Sequence, residues 1–252
     1  MTSENLNAQM QQALRQWFES VPGEMLLDAE QEQLRRVLPK MFGYYALQLG
    51  SHWPVDALMT SMITCKCVIG LKNYNEKCII IKGLVDDLPV KSDSVDLLIL
   101  PHVLEFAHDP HQILREADRV LIPEGHIIIF GFNPLSLWGA WRMLGRLRQK
   151  LPWTGQFISL TRIKDWLALL GFEIREKTVF FQRPPIKREG AMRKLQCLEQ
   201  YGQYWLPTLG AVYMVVAEKK EIRLTPIKPR WRSRRPLVSR PPVVEGLERV
   251  TR

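Results

Sequence analysis

The run Asp86–Pro134, DDLPVKSDSVDLLILPHVLEFAHDPHQILREADRVLIPEGHIIIFGFNP, decides the fold. Ser94–Leu100 is almost unbroken in apolar and β-branched residues, the composition of a strand buried on both faces. Asp109-Pro110 then supplies an N-cap with proline at the first helical position. Ile113, Leu114, Ala117, Val120 and Leu121 follow at the spacing of one helical face. Pro123-Glu124-Gly125 is expected to stop this helix and turn the chain into a second apolar strand, His126–Gly131. Strand, helix and strand in this order make a right-handed βαβ unit, so the chain is predicted to be an α/β protein.

Outward from this unit the pattern continues. Leu6, Met10, Leu14, Trp17 and Phe18 fall on one side of a first helix, and a second is predicted from about Gly23 to Pro39. Residues 1–40 would thus cover a sheet built by residues 41–220. Tyr44–Leu49, Cys65–Ile69 and Lys77–Lys82 read as strands, with Asn73-Tyr74-Asn75 as a turn. Residues 135–150 are predicted to form an amphipathic helix: Leu137, Trp138, Trp141, Leu144 and Leu147 would make its stripe, with Arg142, Arg146, Arg148 and Lys150 opposite. A helix over Thr161–Gly171, capped by Thr161 or Ser159 and closed by Gly171, precedes a strand at Phe172–Phe181. A helix at Met192–Trp205 and a last strand at Ala211–Glu218 complete the domain.

The net charge of +9 is not spread over the body. From Lys219 to Arg252 there are eleven Lys or Arg against three Glu, which leaves residues 1–218 nearly neutral. No basic face on the folded domain follows. Five prolines interrupt residues 221–252, which read as a disordered tail. Its Trp231–Arg235 cluster could take phosphates of nucleic acid or of an anionic membrane, although a merely solubilising tail is the plainer reading. Cys65, Cys67, Cys78 and Cys197 have no zinc spacing, and Cys65-x-Cys67 puts both thiols on one face of a strand. The N-terminus has neither a basic nor an apolar run, and no stretch nears the roughly 20 apolar residues of a membrane span. A cytoplasmic protein with reduced thiols is expected.

The wording of Asp86–Pro134 also resembles the class I S-adenosylmethionine-dependent methyltransferases, in particular their type 11 branch. Members of that branch carry D-x-L-P-(F/V)-x-(D/S)-x-S-(F/V)-D, matched by Asp86–Asp96. A V-L-x-(H/F)-x-x-D-P segment follows at Val103–Pro110, and R-V-L-x-P-x-G-x-(L/I) at Arg119–Ile127. The nearest likeness is to a largely uncharacterised bacterial methyltransferase-like group with a degenerate glycine motif. The resemblance implies a Rossmann-like sheet, mostly parallel with an antiparallel edge, and helices on both faces. It also implies S-adenosylmethionine as cofactor and a small-molecule or lipid-like acceptor.

Cofactor contacts carried over by the resemblance are Gln48, Gly50, Ser51 and Trp53 after the first strand and Gly70 after the second. Val85 and Asp86 follow the third strand, and Leu100 and Pro101 end the fourth. The chain departs from the pattern at three places. Gly50 is the one glycine left of G-x-G-x-G, with His52 and Trp53 beside it. Ile69-Gly70-Leu71 offers no carboxylate for the ribose, and Leu84 replaces the usual Asp. Trp53 would either line the cofactor or fill an empty pocket. His102 is placed to deprotonate an acceptor with Glu105 orienting it, or else simply to cap or pack beneath its loop. The helix at 135–150 is either a substrate lid or a plain packed helix. Three functions therefore stand: methyl transfer, a non-catalytic protein binding a partner or another ligand through the same cleft, or an RNA- or membrane-associated protein whose tail does the binding.

Overall fold

A computed structural model describes residues 3–54, 58–70, 78–145, 153–184 and 208–220. Residues Met1–Glu221 make one compact unit; a second, Ile222–Arg252, lies outside the described residues, as do the turn expected at Asn73–Asn75, the helix expected at Met192–Trp205 and the tail.

The elements of the first unit are helices α1 (Ser3–Phe18) and α2 (Val21–Val37), then strands β1 (Tyr45–Leu49), β2 (Cys65–Ile69), β3 (Ile79–Ile81) and β4 (Val95–Pro101). Helix α3 (Pro110–Val120), strand β5 (Leu121–Phe132), helices α4 (Leu137–Gly145) and α5 (Leu160–Leu169), and strands β6 (Phe172–Phe180) and β7 (Val212–Lys219) follow. The seven strands run in the order β3-β2-β1-β4-β5-β7-β6. All neighbours are parallel except that β7 runs antiparallel to both β5 and β6.

Alternation along β4 explains its unbroken apolar run. Leu97 and Ile99 pack with Leu26, Leu34, Ile128 and Phe130 on the face covered by α2. Leu98 and Leu100 turn to the other face, where Ile113 and Ala117 of α3 and Ile163 and Leu167 of α5 close the second core.

The motif residues hold this arrangement together. Asp109 Oδ1 accepts the N–H groups of His111 and Gln112 at 2.9 and 3.2 Å, capping α3 as its sequence predicts. Ser159, rather than Thr161, caps α5 through the Arg162 N–H. Arg119 donates to the carbonyls of Leu88 and Val90 at 2.9 Å each, and Glu116 accepts the Leu88 N–H, so α3 clasps the Leu88-Pro89 loop. Asp96 accepts both Tyr44 and Tyr45 N–H at 2.8 Å and sets the start of β1.

Two boundaries differ from their predictions. Helix α3 ends at Val120, and Leu121 already pairs with Val95. Pro123-Glu124-Gly125 therefore lies inside β5, as a bulge before Leu97 pairs with His126, with Glu124 at φ +65°. Helix α4 begins at Leu137, later than residue 135, and residues 146–150 lie outside the described part.

Among the described residues no helix is long and apolar enough to cross a membrane.

Candidate functional site

Strand order reverses between β1 and β4, and ligands of open α/β sheets bind beyond the carboxyl ends of such a pair. Here the two lips are Gly50–Trp53 and Pro101–Val103. Gly50 has φ +87°, and a Cβ added there would lie 2.6 Å from the imidazole of His52. Only glycine makes this turn without strain while leaving room for that ring. His52 Nε2 donates to the Pro101 carbonyl at 2.8 Å, which ties one lip to the other. Helix α1 closes over the top: Gln11 accepts a 3.1 Å hydrogen bond from Ser51 Oγ, and Met10 and Leu14 wall the cleft. What remains open among these residues, Gly50, Val85 and His102 is a cavity of about 30 Å³.

Beneath the second lip lies a buried charged triad. His102 follows β4 with φ +52°, a left-handed conformation that a non-glycine residue adopts at some cost. Its Nε2 is 2.6 Å from Glu30 Oε1 of α2, and its Nδ1 is 3.3 Å from Glu105 Oε1. All three side chains are shut away from water. Glu105 Oε1 also accepts the Phe132 N–H at 2.7 Å, and Glu30 Oε2 accepts the Trp53 indole N–H at 2.8 Å. The Phe132 ring stacks on the imidazole at 4.1 Å.

The two histidines titrate in opposite directions. Burial alone would depress His102, but the carboxylates of Glu30 and Glu105 outweigh it and raise its pKa to about 10. His102 is thus an imidazolium at neutral pH, with both ring N–H groups facing carboxylates. Burial drives His52 down to about 4, against the pull of its Pro101 hydrogen bond and helped by the charge of His102.

The residues singled out from the sequence fall into four groups. Gly50, Val85 and His102 line the cleft. Ser51, Gly70 and Pro101 shape it from behind: a Cβ on Gly70 would lie 2.7 Å from Ser51 Cβ, and Pro101 receives His52. Gln48 is buried, donating to the carbonyls of Gly50 and Trp53 at 3.2 and 3.0 Å. The others are elsewhere. Leu100 sits in the α3 core. Asp86 is exposed, with its carbonyl 3.5 Å from Gln112 Nε2. Trp53 neither lines the cleft nor fills it; its indole packs on Phe130 in the α2 core.

Glu30 was not legible as a site residue, yet its signal is present. It interrupts the stripe Leu26-Glu30-Leu34 at i, i+4 spacing, where an acid has to find a buried partner.

Comparisons with known proteins place this geometry. A family model described as "Methyltransferase domain" matches residues 47–129, from β1 to β5. The chain is 32% identical to the uncharacterized protein YafS of Escherichia coli over 213 residues, 83% of this chain and 82% of that one. This chain belongs to the class I S-adenosylmethionine-dependent methyltransferases, in their type 11 branch. A shorter likeness, 30% over 86 residues, joins this methyltransferase chain to demethylmenaquinone methyltransferase of Chlamydia pneumoniae, over 32% of this chain and 36% of that protein. An S-adenosylmethionine-dependent methyltransferase structure from Mesorhizobium loti shares the fold at TM-score 0.56 and 16% identity, covering 77% of this chain and all of the other. One from Archaeoglobus fulgidus does so at TM-score 0.53 and 16% identity, over 77% and 94%.

Whether this methyltransferase fold suits its family's cofactor can be tested on the cleft. Gln48 Oε1, His52 Nδ1 and Glu105 Oε2 are buried at this edge without a hydrogen-bond partner. All three are acceptors, the complement of a donor-rich ammonium group. Among the described residues the space is small: about 30 Å³ stands against the roughly 300–1,000 Å³ of small-molecule sites. The acceptor set suits S-adenosylmethionine, and the opening among the described residues is too small for it as it stands.

Proposed function

We propose that this chain is a methyltransferase that uses S-adenosylmethionine on a small or lipid-like acceptor, and that its cleft is closed here. The observation that carries the reading is the Gly50 turn at the β1/β4 reversal, with the unpaired acceptors of Gln48, His52 and Glu105 around it. Gln48, Gly50, Ser51, Gly70, Val85 and Pro101 are assigned to the cofactor side. A lipid-like acceptor is supported by the apolar start of α4 beyond β5, where Leu135, Leu137 and Trp141 are 71%, 54% and 50% exposed. The partial likeness to demethylmenaquinone methyltransferase adds to this.

His102 and Glu105 remain at the reacting edge, but not as base and orienter. With its pKa raised to about 10 between Glu30 and Glu105, the His102 imidazolium has no free ring lone pair with which to accept a proton. It fixes the second lip and supplies positive charge beneath it.

The closed cleft favours a second reading, a non-catalytic member of the fold that binds a partner. Calorimetry with S-adenosylhomocysteine separates the two. Methyl transfer requires binding at micromolar affinity or better, abolished by Gly50→Trp. No heat from well-folded protein at high ligand concentration leaves the non-catalytic reading.

A further inference from the structure

Helices α1 and α2 form a hairpin joined by a tight turn. Ser20 Oγ bonds to the Trp17 carbonyl at the turn, and a Cβ on Gly23 would lie 2.3 Å from that same carbonyl oxygen. The α1 half carries Met10, Gln11 and Leu14 over the cleft. Phe18 of the same helix lies 6.4 Å from the His52 ring and 5.8 Å from the His102 ring. The α2 half carries Glu30, which reaches His102 at 2.6 Å and Trp53 at 2.8 Å. One carboxylate therefore bonds to residues of both lips, Trp53 after β1 and His102 after β4. Apolar packing holds the rest of α2 on the sheet.

We infer that Glu30 is a latch: its bonds to His102 and Trp53 hold the α1–α2 hairpin over the cleft, and a nucleoside-bearing ligand enters only when they release. The inference rests on the methyltransferase reading for the identity of that ligand, but not for the hold on the hairpin. Glu30 gives both lips a common anchor that also belongs to the cover. Opening the cover and loosening the lips then become one event, because a buried carboxylate cannot leave one partner and stay dry without the other. An apolar residue at position 30 would pack α2 as well but would join nothing. In a two-state picture, every stabilisation of the closed form lowers apparent ligand affinity by the same factor.

The test uses the full chain and S-adenosylhomocysteine. Glu30→Gln keeps the size and an acceptor for Trp53, and removes the carboxylate facing His102. Hydrogen exchange of α1, α2 and residues 50–54 is expected to quicken by about tenfold or more, and affinity to rise by about the same factor. Leu14→Ala loosens the cover without touching the buried charges, and is expected to raise affinity in the same direction; it serves if Glu30→Gln does not fold. Unchanged exchange in Glu30→Gln overturns the latch. Quicker exchange with unchanged affinity overturns the gating. No binding by the wild type or either variant sinks the methyltransferase reading, and the latch then stands or falls on exchange alone.

Discussion

His52 Nε2 donates a 2.8 Å hydrogen bond to the carbonyl oxygen of Pro101, so a side chain from the β1 loop spans the crevice to the end of β4. The ring lies against the bare Cα of Gly50, in the space that a glycine turn otherwise leaves to a ligand. The bulk in this turn is therefore a buried side chain, held by a hydrogen bond to Pro101 and stacked beside Phe18.

His52→Gly should open this space. The Pro101 carbonyl loses its buried donor, at a cost of about 1–3 kcal/mol in unfolding free energy. Affinity for S-adenosylhomocysteine should rise about tenfold or more, since no ring has to be displaced. Calorimetry and urea melts read both quantities. A variant that folds yet binds no better than wild type shows that the ring does not obstruct.

Stability should peak near neutral pH and fall on either side. A free imidazole titrates near 6.5. Below that value both folded and unfolded chains protonate His102, and the stabilisation from Glu30 and Glu105 is complete. Above it only the folded chain keeps the proton, so stability drains as pH rises through about 10. His52 works the other way. With a folded pKa of about 4, it refuses a proton that the unfolded chain takes below 6.5, so stability falls as pH drops towards 4. Each limb has a limiting slope of about 1.4 kcal/mol per pH unit. Urea melts from pH 4 to 10 read the curve. His102→Asn should flatten the alkaline limb and His52→Gln the acidic one; an alkaline limb untouched by His102→Asn contradicts the triad.

Gly50→Ala combines two penalties. At φ +87° a Cβ costs on the order of 1–2 kcal/mol, and the Cβ also meets the His52 ring at 2.6 Å. The second penalty disappears when His52 is Gly. A double-mutant cycle on Gly50→Ala and His52→Gly should therefore show a coupling of about 1 kcal/mol, the pair costing less than its parts. Strictly additive effects place the ring elsewhere.

The architecture was readable because its determinants are local. Asp109-Pro110 caps a helix wherever it stands, and the alternation of Leu97, Leu98, Ile99 and Leu100 between two cores is written as one apolar run. The bulge at Pro123–Gly125 escaped because the residues that stop a helix also kink a strand, and only pairing with Val95 and Leu97 decides between them. The site was harder. His102 and Glu105 lie three residues apart and could be paired from spacing, whereas Glu30 is seventy-two residues away from His102 and meets it only once α2 is laid on the sheet. Its charge then changes what His102 can do, from accepting a proton to holding one. A cleft's volume is still less local, since it depends on where Met10, Gln11 and Leu14 of a separate helix come to rest.

Trp53 offers the last test, because its role turns on one hydrogen atom. Its indole is buried between Phe130 and the α2 core, and its N–H reaches Glu30 Oε2 at 2.8 Å. Trp53→Phe keeps an aromatic ring against Phe130 but leaves that carboxylate oxygen without its donor, which should cost about 1–3 kcal/mol. Trp53→Ala adds a cavity and should cost about 3–5 kcal/mol. If the indole served only as filling, Trp53→Phe would melt close to wild type. Loss in the phenylalanine variant therefore measures the N–H donated to the carboxylate, and guanidinium melts of the two variants separate that hydrogen bond from the packing.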